Sequence, residues 1–285
     1  MRHNSLAEFL TYARRGLAPN GPYAIVLLED ACEVESTITH CQSCGFFEVL
    51  VFGQPNLLPQ TDKGLHLVAH DMHQDAALQQ VINGVIAACP GLWLHYCYNA
   101  EYLFFPFSER RSVGELTRFV TEERRDTVLS FVIDLYSNDL GQHPDGVSRN
   151  AAHFDRNGYY ALQRFEDGEA LDRQLDYFGG LRWRYEEHVP YEKRRIDRVG
   201  LFRAQKGLEL SADHRFNLPE YNTYACEWHH SPTATICSFR AAKALLTNPG
   251  SRHAVGHFWW QHSEKFDWRA QQLMEHGLME PGQWF

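Results

Sequence analysis

Short apolar runs alternate with amphipathic stretches through the first 135 residues, and this alternation constrains the fold more than any other feature of the chain. Residues 23–28, 46–52, 65–69, 92–97 and 127–135 read as strands, the first of them as a buried one. Between them, 6–13, 35–44 and 113–123 carry helical spacing, with Gly45 suited to the left-handed turn after the second helix. Asp75 is the expected cap of one more helix, where Leu78, Val81, Ile82, Val85, Ile86 and Cys89 make a single stripe ended by Pro90-Gly91. Strands and helices of these lengths predict an α/β fold with a mainly parallel central sheet flanked by helices.

From about Tyr136 the pattern changes. Gly, Asp, Asn, Arg and aromatic residues dominate, and long loops are expected, with helices only over 240–246 and 253–277. No Ser/Gly/Pro linker separates this irregular, aromatic-rich half, so one domain is predicted across 1–285.

Charge and cysteine content narrow the function classes. Lys plus Arg is 27 against 36 for Asp plus Glu, a net charge of −9, which argues against nucleic-acid binding and fits a small neutral or carrier-bound substrate. No apolar run approaches the ~20 residues of a membrane span, and the first residues lack the apolar core of a secretory signal. Seven cysteines, an odd number, suit reduced thiols, and a cytoplasmic location is expected.

Cys41-Gln42-Ser43-Cys44 reads either as a helix face or as a metal or redox pair. Local histidine pairs at His70/His73, His229/His230 and His253/His257 invite a zinc hydrolase reading, the last at i, i+4 spacing, although no third acid or cysteine stands beside it. Trp228, Phe258, Trp259 and Trp260 fit a sugar-stacking platform or a core cluster.

The order of several segments resembles the nucleotide-sugar glycosyltransferases of the GT-A fold, in particular the family 2-like bacterial branch. The segments are Leu27-Leu28-Glu29-Asp30, then Val34 to Cys41, then Gly45 and Val49 to Phe52. They continue with Trp93 to Pro106, Ile133-Asp134-Leu135-Tyr136-Ser137 and Asp176-Tyr177-Phe178-Gly179-Gly180-Leu181-Arg182. Arg198 to Arg203 and His214 follow, and the likeness spans residues 22 to 265. It implies a nucleotide-binding half over 22–135, an acceptor half over 136–265 and a tail over 266–285. It also implies transfer of a sugar from a nucleotide-sugar donor to a glycan or small acceptor in polysaccharide biosynthesis.

Three departures touch the metal site of that family. Tyr98 and Ala100 stand where its Asp-x-Asp block has aspartates, while Glu101 is kept. Gly53-Gln54 replaces an Asp-Asn, and Ser238-Phe239-Arg240 replaces a His-Phe-Lys. Manganese or magnesium would need hard carboxylate ligands, so the resemblance points to transfer without the usual divalent ion. Arg182, Arg203, His214 and Arg240 are then the expected partners of the diphosphate. Glu29 and Asp30 follow the first strand, where the family contacts the nucleotide, and Glu101 is placed to hold a ribose hydroxyl; each equally suits a solvated or salt-bridged acid.

An inverting transfer needs a carboxylate base. Asp176, before the Gly-Gly turn, is the first candidate, and Asp134, ending a strong strand, is the second. The plainer reading of both is an acid paired with Arg182 or Arg184. A catalytically silent GT-A-like binding or scaffold protein is the alternative to a transferase, because function rests on the site and not the fold.

Overall fold

A computed structural model describes residues 1–19, 21–224 and 230–285. The first part of the chain runs β1 (Arg2–His3), α1 (Leu6–Gly16), β2 (Tyr23–Leu27), α2 (Val34–Ser43), β3 (Glu48–Gly53), β4 (Leu65–Ala69) and α3 (Ala77–Ala88). Next come β5 (Trp93–Tyr98), β6 (Glu101–Phe104), α4 (Val113–Glu122) and β7 (Thr127–Asp134). The remainder contains β8 (Tyr136–Ser137), β9 (Ala152–Asp155), β10 (Tyr160–Glu166), β11 (Glu169–Phe178), α5 (Gly180–Arg184) and β12 (Asp197–Arg203). It ends with β13 (Ala234–Ser238), α6 (Arg240–Thr247), β14 (Ser263–Lys265) and α7 (Ala270–Glu275).

The architecture is mixed α/β, built on a large sheet in the order β1-β4-β3-β2-β5-β12-β7-β13-β6. Strands β1, β4, β3, β2 and β5 are parallel neighbours, β13 is parallel to β7, and β12 runs antiparallel to β5. Every residue of β2 and of β5 is buried, which is why β2 reads as an unbroken apolar run and β5 as one interrupted only by His95. Among the described residues no helix is long and apolar enough to cross a membrane.

The chain divides into two compact units. One takes Met1–Leu103, Arg110–Leu129 and Val199–Asn222, the other Phe104–Glu109, Ser130–Arg198 and Thr223–Phe285. In the first, α1 packs with α3, and α2 packs on β2 and β3. Residues such as Ile25, Val51, Val81, Ile82 and Val85 fill its core. In the second, Tyr136, Leu181, Ala242, Leu245, Val255 and Phe258 form one buried cluster. Residues 266–285 bury Phe266, Leu273, Met279 and Trp284.

Local chemistry explains most of the boundaries. Ser5 caps α1, and Ser112 with Glu115 forms a reciprocal capping box at the start of α4. Gly45 takes φ 85° just past α2, the left-handed turn its position predicts. The expected cap of α3 is corrected: its N-cap is Ala76, at φ 57°, and it receives no side-chain hydrogen bond, so Asp75 does not cap the helix.

The second half is more regular than its sequence suggests. Strands β10 and β11 pair as an antiparallel ribbon with a register shift between Gln163 and Phe165, where only loop was expected. Its residues are mostly exposed on both faces, so neither helical nor two-fold hydrophobic periodicity marks it. Strand β9 lies between β8 and β14 in a small separate sheet. The single helix expected over 253–277 does not form; that stretch holds irregular chain, β14 and the short α7. Its many aromatic residues serve packing, with Phe258 and Phe266 fully buried.

At the edge of the first unit, His3 and His66 lie ring to ring, with Nε2 of one 3.2 Å from Nδ1 of the other. Phe9 and Tyr12 of α1 pack against the pair, and Glu48 reaches His66 Nε2 at 3.2 Å. Burial pushes both histidine pKa values below 6.5; Glu48 opposes this at His66 without reversing it. The unfolded chain therefore takes up protons that the folded chain resists, and stability is lost as pH falls through 6.5. Hydrogen-exchange protection in β1 and α1, taken relative to the intrinsic rate at each pH, should fall between about pH 7.5 and about pH 5.5, and His3→Leu should flatten that dependence.

Candidate functional site

Within the first unit the strand order β4-β3-β2-β5 contains a reversal. The chain places β3 and then β4 on one side of β2 before returning to its other side with β5. In open parallel sheets, ligands bind beyond the strand carboxyl ends at such a switch point. Leu27 is in register with Tyr98, so Glu29-Asp30 and Asn99-Ala100 emerge side by side.

Asn99 holds these two ends together. It is fully buried, and its amide oxygen accepts from the Glu29 backbone N–H at 2.9 Å. Its Nδ2 donates to Asp30 Oδ1 at 2.7 Å and to the Cys32 carbonyl at 2.9 Å. An Asp30 oxygen also accepts from the Cys32 backbone N–H, forming an Asx turn before α2. Gly53 ends β3 so close to Leu28 that an added Cβ would lie 2.8 Å from the leucine Cβ. Beyond β4, a His73 ring nitrogen donates to the Glu29 carbonyl at 2.8 Å. The His73 amide and the Gln54 side chain hold the Asp71 carboxyl below its ordinary pKa. Glu29 and Asp30, both half-exposed, are thus gathered with Gln54, Asp71 and His73 at one sheet edge.

Glu101 faces another way. Its side chain is 1% exposed, and Oε2 accepts from the Tyr98 backbone N–H at 2.9 Å, closing the turn from β5 to β6. Ala100 sits in that turn at φ 61°, a conformation that Asn, Asp or Gly adopts more readily. A divalent cation needs several hard oxygen ligands. Tyr98, Ala100 and a carboxylate folded into its own turn do not fit that requirement. Among the described residues no group of three or more His, Cys, Asp or Glu side chains is arranged to hold a metal.

Two other expected residues of this unit lie apart from the switch point. Arg203 pairs with Trp93, at the amino end of β5, and its guanidinium donates to the Gly91 carbonyl and faces Asp126 at 3.7 Å. His214 stacks on Tyr96 and exchanges a 2.9 Å hydrogen bond with its hydroxyl.

The second unit gathers a different group. Asp134 ends β7, opposite Ser238 at the end of β13, and Arg240 follows two residues later at the start of α6. Burial raises the Asp134 pKa to about 6, with Arg182 opposing the rise. Arg182 Nε lies 3.3 Å from Oδ1, and the Arg182 backbone N–H approaches Oδ2 at 3.4 Å. This close approach depends on Gly180, at φ 65°, where a Cβ would stand 2.9 Å from Oδ2.

Asp155 forms a neighbouring node. Its Oδ1 accepts from the Tyr136 hydroxyl at 2.6 Å, the Trp260 indole N–H at 2.7 Å and Arg184 at 3.1 Å. Burial raises its pKa despite these donors. Asp155 carries no motif in the sequence, and only the convergence of Tyr136, Arg184 and Trp260 on it from distant segments reveals it.

Asp176 is tied into a separate network. Arg164, itself buried, donates through Nε to Asp176 at 2.8 Å and through a terminal nitrogen to Asp197 at 2.8 Å. Arg195 lies 3.5 Å from the same Asp176 oxygen. These contacts clamp β10 and β11 to the start of β12.

The remaining motifs settle into packing. Cys41 and Cys44 are buried on the inner side of α2, and the hydrogen bond to Cys97 with burial holds the Cys41 thiol protonated well above its ordinary range. His253 and His257 occupy no helix, so their i, i+4 spacing does not put them one turn apart. Phe258 is core and Trp260 binds Asp155, while Trp259 is exposed. Trp228 and His229 lie outside the described residues.

No family model matches the sequence, and no curated protein matches it. Replacing Asn99 with Ala removes three hydrogen bonds from a buried site. It should lower unfolding free energy in urea by about 3 kcal/mol, with the loop at 28–33 losing hydrogen-exchange protection first.

Proposed function

We propose that this chain is a glycosyltransferase of GT-A type, moving a sugar from a nucleotide-sugar donor to a glycan or small acceptor without a bound divalent metal. The reading rests on the segment resemblance and on the chemistry of the group around Asp134 within the second unit. The edge carrying Glu29 and Asp30, taken by itself within the first unit, has the crevice position typical of open α/β sheets. Glu101 is assigned a turn-closing role rather than ribose contact, because its carboxylate already accepts from Tyr98.

Asp134 carries the chemical part of the proposal. It ends a parallel strand, is out of solvent, and has a pKa raised to about 6, the tuning a general base needs near neutrality. Asp176 is instead held between Arg164 and Arg195. In the step, the acceptor O–H bond breaks and its proton passes to the Asp134 carboxylate. The acceptor oxygen bonds to the anomeric carbon as the bond from that carbon to the diphosphate oxygen breaks. The bonding pair leaves on the nucleoside diphosphate, whose growing charge Arg182 and Arg240 stabilise.

A non-catalytic binding role is the second reading, favoured by the inward turn of Glu101 and the loss of both aspartates at Tyr98 and Ala100. Incubation with UDP- and GDP-sugars, with manganese and with a chelator, separates the two. A transferase should consume donor equally in both, with kcat/KM rising as pH climbs through about 6 and then levelling. Asp134→Asn should lower kcat/KM by roughly 100-fold or more while the melting temperature stays near wild type. Donor left intact, with no nucleotide-induced rise in melting temperature, would sink the transferase assignment.

A further inference from the structure

Tyr159 precedes β10 and is half-buried overall, yet its hydroxyl oxygen is out of solvent and has no hydrogen-bond partner among the described residues. Burial, with Asp155, Asp134 and Tyr136 nearby, raises its pKa well above the ordinary tyrosine value. The phenol therefore stays protonated and remains a donor. Asp155 does not take that proton, since Tyr136, Trp260 and Arg184 already occupy it.

The complementary acceptor packs against the turn that the Tyr159 ring also meets, at Gly179-Gly180. Asp134 Oδ1 also has no hydrogen-bond partner among the described residues, its contact with Arg182 Nε being a 3.3 Å ion pair. Both side chains are seated on consecutive glycines. A Cβ on Gly179 would meet the Tyr159 ring at 2.2 Å, and one on Gly180 would meet Asp134 Oδ2 at 2.9 Å. Only a Gly-Gly pair lets the phenol and the carboxylate approach one backbone turn together. Two carboxylates, Asp134 and Asp155, are matched there by two guanidinium groups, Arg182 and Arg184.

We propose that Tyr159 and Asp134 form a subsite for one hydroxyl of an uncharged polyhydroxylated ligand, the acceptor sugar. The phenol donates to the ligand oxygen, and the ligand O–H donates to Asp134 Oδ1. The balanced charge of the surrounding groups favours a neutral sugar over an anionic or cationic one. This identification of the acceptor rests on the transferase reading, whereas the hydroxyl subsite itself does not. In that reading Tyr159 occupies one lone pair of the attacking oxygen and leaves the other directed at the anomeric carbon.

Tyr159→Phe keeps the ring on Gly179 and removes only the hydroxyl. The full chain is titrated with glucose, galactose, mannose and N-acetylglucosamine by ligand-observed NMR, beside glucuronate and glucosamine. Wild type should bind at least one neutral sugar in preference to its charged relatives, and Tyr159→Phe should bind it roughly tenfold more weakly at an unchanged or higher melting temperature. In turnover, KM for the acceptor should rise by a similar factor with kcat little changed. Equal binding by both proteins, no neutral sugar bound by wild type, or a Phe variant that melts well below wild type would each overturn the subsite. Tyr159-dependent sugar binding without any donor turnover would leave the subsite standing and remove the transferase reading instead.

Discussion

The parallel ladder of β2 with β3 on one side and β5 on the other is the constraint on which the first unit depends. All five β2 residues are buried, so the strand cannot slip by one position without exchanging its two packed faces. With register held, the chain ends after Leu27 and Tyr98 must leave the sheet together, and their polar backbone must be satisfied at once. Asn99 does this with one side chain: its amide oxygen receives the Glu29 N–H and its nitrogen serves Asp30 and Cys32. A fixed pair of strand ends follows from the need to pair buried polar groups.

The second unit solves a harder electrostatic problem. Asp134, Asp155, Arg164 and Asp197 are all buried, and each charge is paired. Breaking one buried pair strands its partner at a large cost, whereas an intact pair adds little net stability. Such networks are therefore weak evidence for stabilisation and stronger evidence for a required geometry. The contrast between the carboxylates is informative. Asp176 and Asp197 are saturated by Arg164 and Arg195, and Asp155 by Tyr136, Trp260 and Arg184. Asp134 keeps one oxygen without a hydrogen bond among the described residues, and burial raises its pKa to about 6.

The first half of the fold was legible because burial on both strand faces leaves a compositional trace that needs no partner to be recognised. Runs such as 23–28 and 127–135 reappear as β2 and β7 nearly unchanged. The ribbon of β10 and β11 leaves no such trace, since most of its side chains meet solvent and its register is pinned by Arg164 and Gln163. Asp75 failed as a helix cap for a related reason. A capping residue is recognised by type, but the backbone enters α3 with the N-cap at Ala76 in the left-handed region, where alanine has no side chain to cap the helix.

Sequence alone determined the alternation of strands and helices, the apolar parallel sheet, and the identity of acids and glycines at strand ends. Tertiary structure alone decided which of those acids are already neutralised. Arg182 reaches Asp134 across 48 residues, and Trp260 reaches Asp155 across 105. Hydrophobic periodicity is a local property that every residue carries, while the protonation and pairing of a buried carboxylate are set by whatever distant segments fold against it.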